Sequence, residues 1–456
     1  MLSKAPPLRR LARVLSTNAF NQSQSASVES AASFDAGGDP VNARSGGCAS
    51  ATIAPHRAWI LCTLLFFATA LSFLDRQVLS VLAPELMREF GMSNTVYSRV
   101  VFAFVLSYTV MFALGGRLMD ALGTRMGLAL SVGVWSLASA AHALARGPWL
   151  LGISRFFLGV GEGPCFPAAT KGAVEWMPPR QRALAVGFAN GGSAFGAVLA
   201  PPLTVWWAGL FGWRGAFAAT AALGLLWLAA WQLAFRGLPP AASSPPAHRG
   251  ASFKSLLARP EVRRFMLARF FFDPVFYFYM FWIPQYLSRE RGLSLTEIGN
   301  LTWIPFFALG VTNIAAGRVS DLLVRRGYAP TRARMSLMLL AALLTPASWL
   351  ASTAGTAGAA IALMSVLMFA HGIWIANYIT LIGDTVDSAE VGTAVGLTGT
   401  CGGVAGMLSN LIVGTVVDHS GFAPVFLVSA LLYPAAWLIL AAGRHSPAPA
   451  AAKGIS

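Results

Sequence analysis

The chain has 456 residues, of which 56% are hydrophobic and only 11% charged, with a net charge of +15. A soluble protein carries about 25% charged residues, so this composition excludes a soluble enzyme. The basic residues lie mostly in short connections between apolar runs, which is the positive-inside pattern of a membrane protein rather than the footprint of a nucleic-acid binder.

Apolar runs of ~18 residues or more, long enough to cross a bilayer as a helix, recur along the chain. They are too long and continuous for the alternating strands of a barrel, so the expected class is an all-α integral membrane protein. The four cysteines, Cys48, Cys62, Cys165 and Cys401, are scattered without metal-ligand spacing. Neither a disulfide framework nor a metal site is expected, and no cofactor.

In chain order, residues 1–55 are polar, Ser-rich and basic at Arg9, Arg10 and Arg13. They read as a disordered tail, with an organelle transit peptide or an over-extended start as the other readings. Twelve spans follow, at 58–81, 95–117, 126–145, 148–170, 183–208, 213–235, 265–287, 295–322, 333–351, 358–382, 392–417 and 422–442. An even number leaves both ends on one side.

The connection over 237–264 holds His248, Arg249, Lys254, Arg259, Arg263 and Arg264. This basic content makes it a cytoplasmic linker between six-helix bundles at 56–236 and 265–442, ahead of a tail at 443–456. Both termini are then cytoplasmic. An internal repeat supports the division. Gly116-Arg117-Leu118-Met119-Asp120 matches Gly317-Arg318-Val319-Ser320-Asp321, and Ala185-Val186-Gly187 recurs as Ala394-Val395-Gly396 209 residues later.

Two spans carry ionisable residues at membrane depth. Asp75 and Arg76 close the apolar run of the first, and Arg155 and Glu162 lie within the fourth. Seven residues on a helix are two turns, so Arg155 and Glu162 leave one face about 10 Å apart. That is far for a direct ion pair and predicts another group between them. Charges at this depth usually face a protein interior or a water-filled cavity, here read as the centre of a solute pathway.

Gly116, Asp120, Gly123 and Arg125, with the weaker copy at 317–326, resemble the signature of the major facilitator superfamily, although Ala121 stands where a basic residue is usual. Leu74-Asp75-Arg76-Gln77 and the Arg155–Glu162 spacing resemble its anion:cation symporters. Ala185 to Asn190, Leu267-Ala268-Arg269-Phe270, Trp282-Ile283-Pro284 and Phe369-Ala370-His371 resemble the hexuronate-transporter branch. The resemblance implies two pseudo-symmetric six-helix bundles, a monomer in the inner membrane, and import of an organic anion with a proton by alternating access. It puts substrate binding on Arg76, with Gln77 in the same motif, and proton coupling on Asp75, Glu162 and Arg155.

Chemistry fits these roles. A guanidinium binds a planar carboxylate bidentately. Partnership with Asp75 or Glu162, or snorkelling at an interface, are the other readings of Arg76. At Glu162, burial and a neighbouring guanidinium act in opposite directions on protonation, which suits a coupling group; simple neutralisation of Arg155 is the alternative. His371 lies 209 residues after Glu162, at the pseudo-equivalent point, and is read as facing the cavity or as a packed histidine.

Tyr277 presents a flat face and a polar tip suited to a sugar ring, Pro274 should kink or break its span, and Asp273 should pair with Arg269 one turn away. Asn190 is assigned toward the cavity, and Gly192-x-x-x-Gly196 beside it allows close helix approach. Asp120, Arg125, Asp321 and Arg325 at span ends are expected to form ion pairs between bundles that close an inner gate.

The leading expectation is a proton-coupled hexuronate symporter. Alternatives are a carrier of an aldonate or aromatic carboxylate, drug efflux, a sensor or a membrane enzyme. No zinc-protease, nucleophile-elbow or P-loop motif is present to favour an enzyme or an ATP-driven pump.

Overall fold

The computed structural model describes residues 54–236, 253–387 and 390–442, almost all of them helical. The tails expected over 1–55 and 443–456 lie, but for residues 54 and 55, outside the described residues, as does the linker up to 252. The remainder of the linker is ordered as α6 (Phe253–Ala258) and the first turn of α7 (Pro260–Arg291).

The first half of the chain comprises α1 (Pro55–Glu89), α2 (Asn94–Ala143), α3 (Pro148–Glu162), α4 (Cys165–Trp176) and α5 (Arg182–Ala234). The second half continues from α7 with α8 (Leu295–Leu301), α9 (Trp303–Arg325), α10 (Pro330–Leu344), α11 (Ala347–Thr353), α12 (Ala357–Thr385), α13 (Val391–Ser420) and α14 (Ala423–Ala441).

Among the described residues, nine helical stretches are long and apolar enough to span a membrane. Two of them, α2 and α5, hold two spans each. Gly123 (φ 72°) and Gly212 (φ 69°) break them where the chain must reverse, in a left-handed conformation that only glycine adopts cheaply. The successive helices α3 and α4 together make the fourth span, completing the expected twelve. Large apolar side chains such as Leu137, Leu226, Leu343 and Leu438 are exposed on the outside, as a lipid-facing surface requires.

The repeat is visible in the backbone. Gly212 and Gly421 share φ 69° at the 209-residue offset, and Ser93 and Ser294 both cap a helix N-terminus.

In a bilayer, lipid is as apolar as leucine, so helices associate through close packing at small residues. A Cβ on Gly192 would lie 1.9 Å from the Phe66 carbonyl oxygen, and one on Gly196 2.1 Å from that of Ala70, so α5 touches the backbone of α1. A Cβ on Gly159 would lie 2.2 Å from Ser107 Oγ, and one on Gly163 2.6 Å from Met111 Cβ, both on the second span. On Gly161 it would lie 2.6 Å from the Trp135 nitrogen in the third. These contacts bury the face of α3 that carries Arg155 and Glu162.

Between the halves, α2 packs on α13, α1 on α7, and α5 on α8 and α9. Hydrogen bonds cross at one end of the molecule, the end where α1 runs into α2. Ser80 Oγ donates to the Met280 carbonyl at 2.8 Å and Tyr97 Oη to that of Phe281 at 2.9 Å. At the opposite end, which carries α6, a Cβ added to Gly116 on α2 or to Gly392 or Gly396 on α13 would meet nothing within 4 Å.

Candidate functional site

Asp75 and Arg76 close the apolar run but not the helix. Helix α1 runs on to Glu89, which places both residues deep inside the bundle, with Arg76 only 3% exposed. Snorkelling to an interface is therefore not available to Arg76. Ser72 lies one helical turn before Arg76 and shares its face.

Glu162 reaches this face from the end of α3. Its Oε2 accepts hydrogen bonds from Arg76 Nη2 at 3.0 Å, Arg76 Nε at 3.2 Å and Ser72 Oγ at 3.1 Å. Its Oε1 is buried and without a hydrogen-bond partner among the described residues.

Three aromatic rings surround the guanidinium. Arg76 Cζ lies 4.4 Å from the ring centroid of Tyr108, 4.7 Å from Phe73 and 5.2 Å from Phe104. A desolvated cation over several ring faces is held by their quadrupoles without losing its charge.

Arg155 does not pair with Glu162. Its Nη1 donates to the Arg76 backbone carbonyl at 3.2 Å, while Nε and Nη2 are buried without partners among the described residues. The group between Arg155 and Glu162 is thus Arg76 itself, touching one through its carbonyl and the other through its side chain.

Asp75 points away from Arg76, toward spans three and six. Its Oδ1 accepts from Ser139 Oγ at 2.8 Å, and that hydroxyl lies 2.8 Å from Thr220 Oγ1. The four charged residues Asp75, Arg76, Arg155 and Glu162 are all buried, and together they are formally neutral.

The remaining expected site residues are more dispersed. Tyr277 stacks on Phe281 with ring centroids 6.2 Å apart. Its ring packs against Gly406, where a Cβ would lie 2.2 Å away. Gln77 donates through Nε2 to the Ala197 carbonyl at 3.4 Å and ties α1 to α5. Asn190 donates to Thr170 Oγ1 at 3.2 Å, on α4 rather than beside Arg76. His371 stacks on Phe276 with centroids 4.8 Å apart and shares a hydrogen bond with Tyr433 Oη, inside the second half. Asp273 accepts from Arg269 Nε at 3.0 Å. Helix α7 continues through Pro274 without a break, because the carbonyl that loses its donor is only one among a continuous ladder.

Among the described residues, Asp120, Arg125, Asp321 and Arg325 make no ion pair between the bundles. Asp120 binds Lys171 Nζ at 2.5 Å and Asp321 binds Arg334 Nη1 at 3.3 Å, each within its own half. Arg125 lies 5.1 Å from the Phe235 ring centroid, and Arg325 is exposed with no ion pair among the described residues. A Cβ added to Gly116 on α2 or to Gly396 on α13 would meet nothing within 4 Å, so these two helices are not in close contact at those positions.

Sequence reasoning missed Ser72, Tyr108, Ser139 and Thr220. Ser72 was available, since its spacing from Arg76 is one turn. The others come from different spans and carry no local signal.

Residues 65–410 match the family profile of the Major Facilitator Superfamily, and a second match covers 265–454. The chain is 31% identical to a hexuronate transporter of Escherichia coli (strain K12) over 391 residues, 82% of this chain and 90% of that one. It is 31% identical to a hexuronate transporter of Bacillus subtilis (strain 168), over 80% of this chain and 89% of that one. A D-galactonate transporter of Escherichia coli O6:H1 is 25% identical, over 86% of this chain and 97% of its own. Among solved structures, a D-xylose-proton symporter superposes with a TM-score of 0.67 at 17% identity, covering 85% of this chain and 98% of its own. That likeness speaks for the fold alone.

Proposed function

The chain belongs to the Major Facilitator Superfamily, and from that premise we propose that it imports a monovalent sugar acid together with a proton, the sugar acid being a hexuronate such as glucuronate or galacturonate. It is a multi-pass membrane transporter rather than an enzyme. In our reading it acts as a monomer in the inner membrane, with both termini cytoplasmic and the halves 56–236 and 265–442 rocking about the shared site.

The observation that carries the proposal is the buried ion pair of Arg76 and Glu162 beneath three aromatic rings. When Glu162 takes up a proton, Arg76 loses its counter-charge. Leaving one partner of a buried pair uncompensated costs about 3–5 kcal/mol. A substrate carboxylate on Arg76 restores the balance, so proton and anion favour each other's binding and the doubly loaded site is neutral again. Tyr277 and Tyr108 offer ring faces to the sugar, with Asn190, Gln77 and His371 as further polar contacts in the same pathway. Asp75, supported by Ser139, is the second proton-coupling acid, and Arg155 holds the Arg76 backbone.

Similarity to hexuronate transporters over most of the chain supports this substrate class, and the weaker similarity to the galactonate transporter makes aldonates the next candidates. The test is uptake of labelled glucuronate and galacturonate into proteoliposomes under an inward proton gradient. Accumulation that collapses with a protonophore is the expected result. Folded protein that takes up neither acid would remove the substrate assignment, and aldonates would be tried next.

A further inference from the structure

Asp418 lies two residues before the end of α13, in the second half, yet its carboxylate is bonded by residues of the first. Its Oδ1 accepts from the Asn94 backbone N–H at 3.0 Å and from Asn94 Nδ2 at 2.8 Å. Its Oδ2 accepts from the Thr95 backbone N–H at 2.8 Å and from Thr95 Oγ1 at 2.6 Å. Asn94 and Thr95 are the first two residues of α2.

The first backbone N–H groups of a helix have no partner within it, and that end carries partial positive charge. Ser93 satisfies the next donor, that of Val96, at 3.2 Å from its own side chain. The donors ahead of it are satisfied from the other half of the molecule. Gly414, one turn earlier on α13, lets the helices approach, since a Cβ there would lie 2.4 Å from Ser98 Cβ. Tyr97 and Ser80 add their bonds to the α7 backbone just inside.

We propose that Asp418 is a latch: its carboxylate, borrowed by the α2 N-terminus, holds the outer face shut and biases the transporter toward the state open at the α6 face. The idea rests on the reading of the chain as an alternating-access transporter, with the α1–α2 connection outside. A carboxylate suits a latch better than an apolar contact. Its bonds are charge-assisted and directional, and water can replace them when the halves part. Closure and opening therefore differ by a modest free energy that substrate binding can overcome.

The test places one spin label on each half at the outer face, at Arg146→Cys and Gly355→Cys, with Cys48, Cys62, Cys165 and Cys401 replaced by serine. Pulsed dipolar distances are then read in detergent and in nanodiscs without substrate. Asp418→Asn and the double variant Asn94→Ala/Thr95→Val remove bonds from opposite halves, so loss of folding in one leaves the other informative. The expected result is a longer distance population whose ratio to the closed one rises about tenfold, the shift that follows from losing one charge-assisted bond. Distances unchanged in both variants would overturn the latch. The measurement needs no transported substrate, so absence of hexuronate uptake alongside the distance shift would strike the substrate assignment and spare the latch.

Discussion

Glu162 has two unlike oxygens: Oε2 carries the bonds from Arg76 and Ser72, and Oε1, equally buried, carries none among the described residues. A proton can therefore be accommodated on Oε1 before the Arg76 contact is broken. Glu162→Gln is expected to abolish proton-driven accumulation while keeping exchange of preloaded substrate, because glutamine cannot cycle a proton but still accepts a bond from Arg76. Normal uphill uptake by that variant would remove Glu162 from the coupling. Arg76→Lys keeps the charge and loses the planar fork, so KM for the sugar acid should rise about tenfold or more with the fold intact. An unchanged KM would place the substrate carboxylate elsewhere. Because protonation favours anion binding in this scheme, initial uptake at low substrate should rise as the external pH falls and flatten once the acid is protonated before each cycle. The spacing of Ser72, Arg76, Arg155 and Glu162 is legible along the chain, but the partners are not. Nothing local to Glu162 distinguishes Arg76 on another helix from Arg155 on its own.

Glycines set which faces meet at the scale of the helix. Gly196 and Gly187 both lie on α5, but a Cβ on Gly196 would stand 2.1 Å from the Ala70 carbonyl oxygen, and one on Gly187 would meet nothing within 4 Å. Gly196→Ala should therefore destabilise the protein by about 1–3 kcal/mol, since backbone cannot yield as a side chain does. Gly187→Ala should be neutral or slightly stabilising through helix propensity. Thermal unfolding in detergent, followed by size-exclusion chromatography, separates the two; equal melting temperatures would mean that α1 and α5 are not in backbone contact. The Gly192-x-x-x-Gly196 spacing announces a close approach in the sequence, although its partner helix is not encoded there. Span number is equally legible. The helix breaks inside α2 and α5 fall at Gly123 and Gly212, near where the apolar runs lapse. Pro274 does not end its helix: it sits within an unbroken α7, where the neighbouring turns keep the rest of the ladder.

For the whole molecule, the distribution of arginine and lysine predicts an orientation. A single cysteine at Arg146 should react with an impermeant maleimide in intact cells, and one at Arg180 only after the membrane is opened. The reverse pattern would invert the topology and move the Asp418 latch to the cytoplasmic face. The amino-acid sequence by itself determined the membrane class, the twelve spans, the repeat and the identity of the buried acids and bases. All of these depend on the transfer of local segments from water to lipid, and each segment carries its own hydropathy. Only the tertiary structure decided that Glu162 meets Arg76 across 86 residues, that Asp75 turns to Ser139 instead, and that the halves join at Asp418 and part at Gly116 and Gly396. Those outcomes depend on the rotation of each helix about its axis and on how the two halves of the chain lean together. Both are set by packing between segments distant in sequence, which no local pattern records.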